Sequence, residues 1–434
     1  MNSSAIRTET PNSGKARWWV LLLLSLAMTG NFYVYDCIGP LADHLQRLLG
    51  YSDTQLGTLN AIYSFPNIFL VLIGGLLTDR FGAGRLMLWT SMICFAGALL
   101  TAISGNFAVM ATGRLLFGIG AETMIVAATV ALGLWFLGRS LALAMALNLS
   151  LGRAGSYAAD VSPVWAKGAY DAGWQDPLWI AAAFAFMAML ASIGYWAIER
   201  RAGNQTAAPT SAPAEKIVWR DVLSFDRSYW YVLALCVTFY SVILPFRSTF
   251  AIKYFQHAHG LSLDAASIMN SHVFLAAVFV SPVFGLIADR FGWRASLMIL
   301  GSFLLPVTFL LLGIGQAQLW TVTVLVGISF SLVPAILWPS VAHVVAPARL
   351  GTAFGLMTMI QNMGLTFSNL AAGWLNDAAS AGAENPAGYQ PMLWYFGALA
   401  LVGVIFAVLL RQRELGPHGH GLESPEARIH AILR

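Results

Sequence analysis

Charge is what this sequence has least of. Asp, Glu, Lys and Arg make up only 10% of the 434 residues, where an ordinary soluble domain carries about 25%. So few charges cannot cover a water-exposed surface, which excludes a soluble globular protein of this length. Cysteine is rarer still. Cys37, Cys94 and Cys236 lie far apart, each in an apolar run, so neither a metal-binding spacing nor a disulfide framework is present. They read as small buried hydrophobes. No nucleophile, acid–base pair or strand-borne phosphate loop can be assembled. The sequence therefore offers no catalytic residue, metal site or cofactor, and it does not read as an enzyme. The net charge of +4 sits in loops, where it speaks of membrane topology rather than nucleic acid.

What is present is apolar length. Hydrophobic residues make up 58% of the chain, and the mean hydropathy is +0.69. A span needs about 20 mostly apolar residues, and that rule predicts twelve. Six lie near 18–41, 55–78, 84–104, 107–135, 140–163 and 177–198, and six near 229–252, 264–288, 295–314, 317–343, 350–375 and 390–411. The polar start runs straight into WWVLLLLSLAMTG, which reads as the first span rather than a cleaved leader. The expected organisation is an N-tail (1–17), a six-helix bundle (18–198), a linker (199–228) with room for one short interfacial helix, a second bundle (229–411) and a flexible C-tail (412–434).

Orientation follows from the basic residues. With both ends in the cytoplasm, eighteen of the 24 Lys and Arg residues fall on that side. Arg47, Lys167 and Lys253 fall outside, and Arg114, Arg153 and Arg247 fall within spans. This asymmetry supports both tails, and the linker between the bundles, being cytoplasmic. The expected location is the cell inner (plasma) membrane.

The two halves repeat. GLLTDRFGAGR starts at Gly75 and GLIADRFGWR at Gly285, each after the second span of its half. Such a repeat is the mark of a transporter built from two related bundles. The motif resembles the cytoplasmic loop of the major facilitator superfamily, in which the loop Asp helps latch the two halves. The resemblance implies gating roles for Asp79, Arg80 and Arg85, and for Asp289, Arg290 and Arg294. In the first copy the final Arg comes one place late, after Ala83-Gly84. It also implies the fold: an all-α membrane protein with twelve transmembrane helices in two pseudo-symmetric six-helix bundles.

A closer resemblance runs through the spans. YVYD (Tyr33–Asp36), YSFPN (Tyr63–Asn67), GRLLFGIGAE (Gly113–Glu122), GRAGS (Gly152–Ser156), SPVFGL (Ser281–Leu286), LWPSVAHVV (Leu337–Val345) and IQNMGL (Ile360–Leu365) are similar, in order and spacing, to the lysosomal dipeptide uniporters of that superfamily. The chain reads as a bacterial relative of them. It has no acidic dileucine signal in the N-tail, and its sequons at Asn2 and Asn204 fall on the cytoplasmic side. A lysosomal address and a glycoprotein partner therefore do not carry over.

Charges within spans are costly and mark cavities or partners. Glu122 lies roughly 22 Å from the outer start of its span, and Arg153 roughly 21 Å from the inner start of the next, at 1.5 Å per residue. Both reach the middle of the bilayer. They can pair with each other, fixing two helices, or hold the two ends of a zwitterion. A dipeptide is such a zwitterion: the acid suits its ammonium, and the planar guanidinium suits its carboxylate. The resemblance implies the same roles. Tyr35, Tyr63, Asn67, Gln361 and Asn362 are further expected substrate-binding residues, with helix–helix hydrogen bonding as their alternative. Arg247 faces either the cavity or the outer interface. Arg114 is either a structural Arg or a residue that tunes a carboxylate, and Asp36 either lines the cavity or caps a helix. Gly118 and Gly120 read as packing glycines. The expected function is alternating-access transport of dipeptides by facilitative uniport, by a monomer whose partners are its substrate and membrane lipid, with no nucleic acid. The competing reading is proton-coupled transport of a small organic anion or sugar.

Overall fold

The computed structural model describes residues 13–136, 140–202, 225–315, 318–346 and 349–424. The outer part of the N-tail, most of the linker with its expected interfacial helix, and the last ten residues lie outside the described residues. So do the side chains of Asp79 and Asp289, although their backbones are helical. Among the described residues all regular structure is helical.

The twelve expected spans are present, several longer than composition foretold. Span one is Ser13–Asp36 continued by Ile38–Leu49, and span two is Asp53–Ser64 continued by Asn67–Phe81. Spans three to six are Ala83–Ile103, Phe107–Phe136, Leu141–Asp160 and Gln175–Ala202. Span seven is Arg227–Pro245, a π-helical turn Phe246–Phe250, and Ala251–His259. Spans eight to twelve are Leu263–Phe291, Arg294–Gly313, Leu319–Val344, Leu350–Ala378 and Gln390–Glu414. One buried apolar cluster belongs to spans seven to twelve and two to spans one to six, so each half packs as its own bundle.

Eight spans are individually long and apolar enough to cross a membrane; the other four are two, five, eight and eleven. Those four meet across the divide, two against eleven and five against eight. They carry Asn60, Asn67, Arg153, Asp160, Asn270, Gln361, Asn362 and Asn369. A helix that faces protein and a solute path tolerates polar groups that a lipid-facing helix does not. The eight apolar spans instead show large apolar side chains, with Trp89, Trp179, Leu300, Trp320 and Ile405 all exposed. Such a surface suits a bilayer and not water.

Proline breaks three of the spans. A proline within a helix removes one donor and displaces the carbonyl four residues earlier. Pro40 does this to Asp36, where span one breaks, and Pro66 sits at the break in span two. Pro245 deprives the Ser241 carbonyl of its partner, and the Ser368 hydroxyl of span eleven takes its place. The wide turn that follows carries Arg247.

The C-tail corrects the sequence expectation. The last span runs on to Glu414, and residues 415–424 fold back over the end of the second bundle. Leu422 is buried, and its carbonyl accepts from the Arg294 amide at 2.8 Å. The Glu423 carboxylate caps the start of span nine, accepting from the Ser296 amide (2.6 Å) and hydroxyl (2.7 Å). Glu199 does the same for span three, accepting from the Gly84 amide. The repeat thus extends to how each bundle closes its third helix.

Candidate functional site

Glycine sets up the acid. On span four a methyl group at Gly118 would come within 3.0 Å of the Tyr63 Cα, so only glycine lets span two press so close. Four residues on, on the same face of the helix, stands Glu122. The Tyr63 hydroxyl donates to its Oε1 at 3.4 Å, and Tyr35 packs on the Tyr63 ring at 4.7 Å. Glu122 is half-buried, and this hydroxyl is its one hydrogen-bond partner among the described residues. Gly118 and Gly120 are packing glycines, the latter against span three.

The base is built differently. Gly152 and Gly155 bring span five onto span one, and between them Arg153 turns to rings. Its guanidinium lies 5.0 Å from Phe32, 5.3 Å from Phe330 and 5.7 Å from Phe274. Two of those rings belong to the second bundle. A guanidinium has five N–H donors, and none of those of Arg153 meets an acceptor among the described residues. Of the two readings for Glu122 and Arg153, the mutual ion pair is not formed; neither has a partner of opposite sign among the described residues. Tyr240, hydrogen-bonded at 3.0 Å by the Trp338 indole, lies within electrostatic range of Arg153. Trp338 stacks on Phe354 at 6.1 Å.

The remaining expected residues separate. Arg114 is structural. Its guanidinium donates to the carbonyls of Val34 (2.7 Å), Tyr35 (3.1 Å) and Leu59 (3.3 Å) and to Asn60 Oδ1 (2.6 Å), which ties span four to the break in span one. Asn67 is fully buried, with its amide on the Tyr63 carbonyl at 3.1 Å, so it mends the Pro66 break rather than facing a cavity. Asn362 is buried against its own helix, donating to the Thr358 carbonyl at 3.0 Å. Gln361 is half-buried and accepts from the Cys236 thiol at 3.8 Å.

Arg247 faces neither the cavity nor the outer interface. It is 1% exposed and holds Asp36 at 2.9 Å and both oxygens of Asp160 at 2.9 and 3.0 Å. It therefore bridges the two bundles. On the same span Lys253 pairs with Asp53, and His257 Nε2 lies 2.9 Å from Asp43. Asp377 of span eleven accepts from the amides of Asp53 (2.7 Å) and Thr54 (2.8 Å), and Asn60 donates to Thr249 at 2.7 Å. All these contacts lie in the half of the molecule away from the chain ends. Here Gly57 and Gly373 press on Asn369 and Asp53 of the opposite bundle so closely that a side chain at either would clash with backbone. The far end is thus closed. At the other end Arg80, Arg85 and Arg290 are exposed at the helix ends, and Arg294 is half-exposed.

Asp43, Asp53, Asp160, Lys253 and His257 were not singled out from sequence. The signal was a run of three basic residues on the outer half of span seven facing acids at the outer ends of spans one, two and five. Nothing local paired them.

Comparison with known proteins agrees with this architecture. The sequence profile described as Major Facilitator Superfamily matches residues 24–251 and 246–433. The lysosomal dipeptide transporter MFSD1 of Homo sapiens is 30% identical over 411 residues, covering 91% of this chain and 85% of the relative. The probable sulfoacetate transporter SauU of Cupriavidus necator is 24% identical over 414 residues, covering 86% of this chain and 89% of the relative. Two solved structures share the fold. One is a bacterial homolog of the human lysosomal transporter Spinster, inward-facing and unoccupied (TM-score 0.75, 16% identity, 92% of this chain and 98% of that one). The other is a mutant of the nucleoside transporter NupG (TM-score 0.74, 13% identity, 90% and 99%). By sequence, by fold and by the repeated bundle, this chain belongs to the major facilitator superfamily and is a multi-pass membrane transporter.

Proposed function

We propose that the chain carries dipeptides across the inner (plasma) membrane by facilitative alternating access. Glu122 holds the ammonium and Arg153 the carboxylate; Tyr35 and Tyr63 complete the acid's side, and Gln361 is the further contact from the second bundle. The observation that carries this reading is the pair of unpartnered charges. Holding an ion out of water costs several kcal/mol unless something compensates it. A hydroxyl at 3.4 Å and three ring faces leave most of each group's capacity unused. A zwitterion with a short spacer satisfies both at once and leaves its side chains free. The similarity to dipeptide transporters supports the same substrate class.

The closed far end supports a state in which the site communicates with the side bearing the termini. With both termini in the cytoplasm, as the basic-residue asymmetry supports, that side is the cell interior. On this reading Asp79, Arg80, Arg85, Asp289, Arg290 and Arg294 form the opposing gate, and a single chain is the working unit. Equilibrium binding tests the proposal. A free dipeptide binds the purified protein, whereas versions blocked at the amine or at the carboxylate bind at least tenfold more weakly. Equal binding of all three sinks it.

One observation favours a second reading. Arg153 alone, without Glu122, suits a small organic anion, and a relative with a sulfoacetate transporter's name covers most of the chain. Proton-coupled anion transport then requires an inward proton gradient, which facilitative dipeptide transport does not.

A further inference from the structure

The folded-back tail builds something. Where residues 416–418 turn under the second bundle, they wall a cavity of about 310 Å³ against the first turns of span seven and the last of span twelve. It is lined by Arg227, Tyr231, Leu409, Gln412, Arg413 and the tail's Gly416, Pro417 and His418. One edge is apolar: Tyr231 and Leu409 line it from positions about a turn inside their spans. The other is polar and basic. The cavity therefore straddles the level at which the bilayer gives way to water.

Its charges are not all spoken for. Arg413 gives Nε and Nη2 to the Asp226 carboxylate at 3.0 and 2.5 Å, leaving Nη1 without a partner among the described residues. Arg227 and His418 are exposed, and neither forms a hydrogen bond or ion pair with a described residue. Asp226 beside the cavity is committed to Arg413 and to the Ser228 amide at 2.8 Å. Glu414 points the other way, taking the Ser228 hydroxyl (2.8 Å), the His420 amide (2.7 Å) and His420 Nδ1 (3.1 Å). Those bonds are what hold the tail against the cavity.

We propose that this cavity is a binding site for the phosphate headgroup of an anionic phospholipid of the leaflet on the terminus-bearing side. Arg227, Arg413 Nη1 and His418 receive the phosphate, Gln412 offers an amide to the glycerol, and Tyr231 and Leu409 lie along the upper acyl chain. Lys and Arg at a membrane surface each contribute about 1 kcal/mol toward anionic lipid. A planar guanidinium adds paired hydrogen bonds to phosphate oxygens. A soluble phosphate shares the headgroup's chemistry but not the apolar edge. The proposal does not depend on which solute the transporter carries.

The test is native mass spectrometry of the detergent-purified, full-length protein with short-chain phosphatidylglycerol, short-chain phosphatidylcholine and inorganic phosphate as separate probes. The expected result is retention of phosphatidylglycerol over phosphatidylcholine. Arg227→Gln should weaken it about fivefold, Arg227→Gln with His418→Gln more, and Arg201→Gln, an exposed cation of the first bundle, not at all. Glu414→Gln, which loosens the tail without touching a proposed phosphate ligand, should also weaken it. Equal retention of both lipids, or indifference to Arg227→Gln in a variant with unchanged thermal unfolding, overturns the site. Displacement of the lipid by inorganic phosphate at comparable concentration overturns the lipid assignment.

Discussion

Two sets of charge sit inside the spans of this molecule and are treated in opposite ways. At the far end, Arg247 and Lys253 are 1% and 0% exposed, and each lies on a carboxylate of the other bundle. At mid-height, Glu122 and Arg153 have no ionic partner among the described residues. The first set has its compensation built in, and it holds two bundles together. The second leaves its compensation to something that arrives and departs. A protein that alternates needs both kinds: charges whose partners are protein and set which side is closed, and charges whose partner is the cargo.

The comparison breaks most visibly at Arg247. Removing it leaves Asp36 and Asp160 buried without a cation, a defect of about 3–5 kcal/mol. Arg247→Ala is expected to lower thermal stability and to lengthen spin-label distances across the far end. An unchanged far-end distance would show that the ion cluster does not set closure. Next comes Arg153→Ala. Having no acidic partner to strand, it should leave the fold intact while dipeptide binding falls about 100-fold, since a charge-assisted hydrogen bond contributes about 1.5–3 kcal/mol. A strong loss of stability with binding retained would move Arg153 into the structural set.

Glu122→Gln sharpens the contrast further. It is expected to weaken free-amine dipeptides by about tenfold and to leave N-acetylated ones unchanged, as read by calorimetric titration. Equal losses for both would make Glu122 a helix-packing group. The smallest effect belongs to the tail clasp. His420 is pushed above its ordinary value by its hydrogen bond to Glu414, against a smaller opposing effect of burial, and Asp226 and Arg413 lie near it with opposite influence. Glu414 in turn accepts from the Ser228 hydroxyl, the His420 amide and Nδ1, and the Leu422 amide. A raised His contributes stability that is full below its unfolded value of about 6.5 and is lost as pH rises through the folded one. Limited proteolysis of the tail should therefore quicken as pH rises through and above neutrality, and His420→Ala should flatten that dependence.

Much of this was legible in the sequence, for physical reasons. Twelve spans follow from apolar length, the two bundles from the DRFG repeat, and Glu122 and Arg153 from the cost of a charge at mid-membrane. The helix breaks at Pro40, Pro66 and Pro245 have a local cause, a missing donor, but they were not read from the sequence. The far-end cluster was not legible, because Arg247, Asp36 and Asp160 come from three separate spans and no local pattern joins them. Asn67 looked like a cavity residue because its type and span were right. Only the backbone shows that its amide is taken by Tyr63. The tail read as free because it is polar, yet Glu414, Leu422 and Glu423 bind it to helix ends whose unpaired donors cannot be counted from sequence.

The most direct test of the central claim is thermal unfolding of the purified protein with alanylalanine, its N-acetyl and C-amide derivatives, and sulfoacetate. The account expects the free dipeptide alone to stabilise, by about 2.7 kcal/mol at a hundred times its Kd. Stabilisation by sulfoacetate with none by alanylalanine would contradict the zwitterion clamp and leave Arg153 as an anion site.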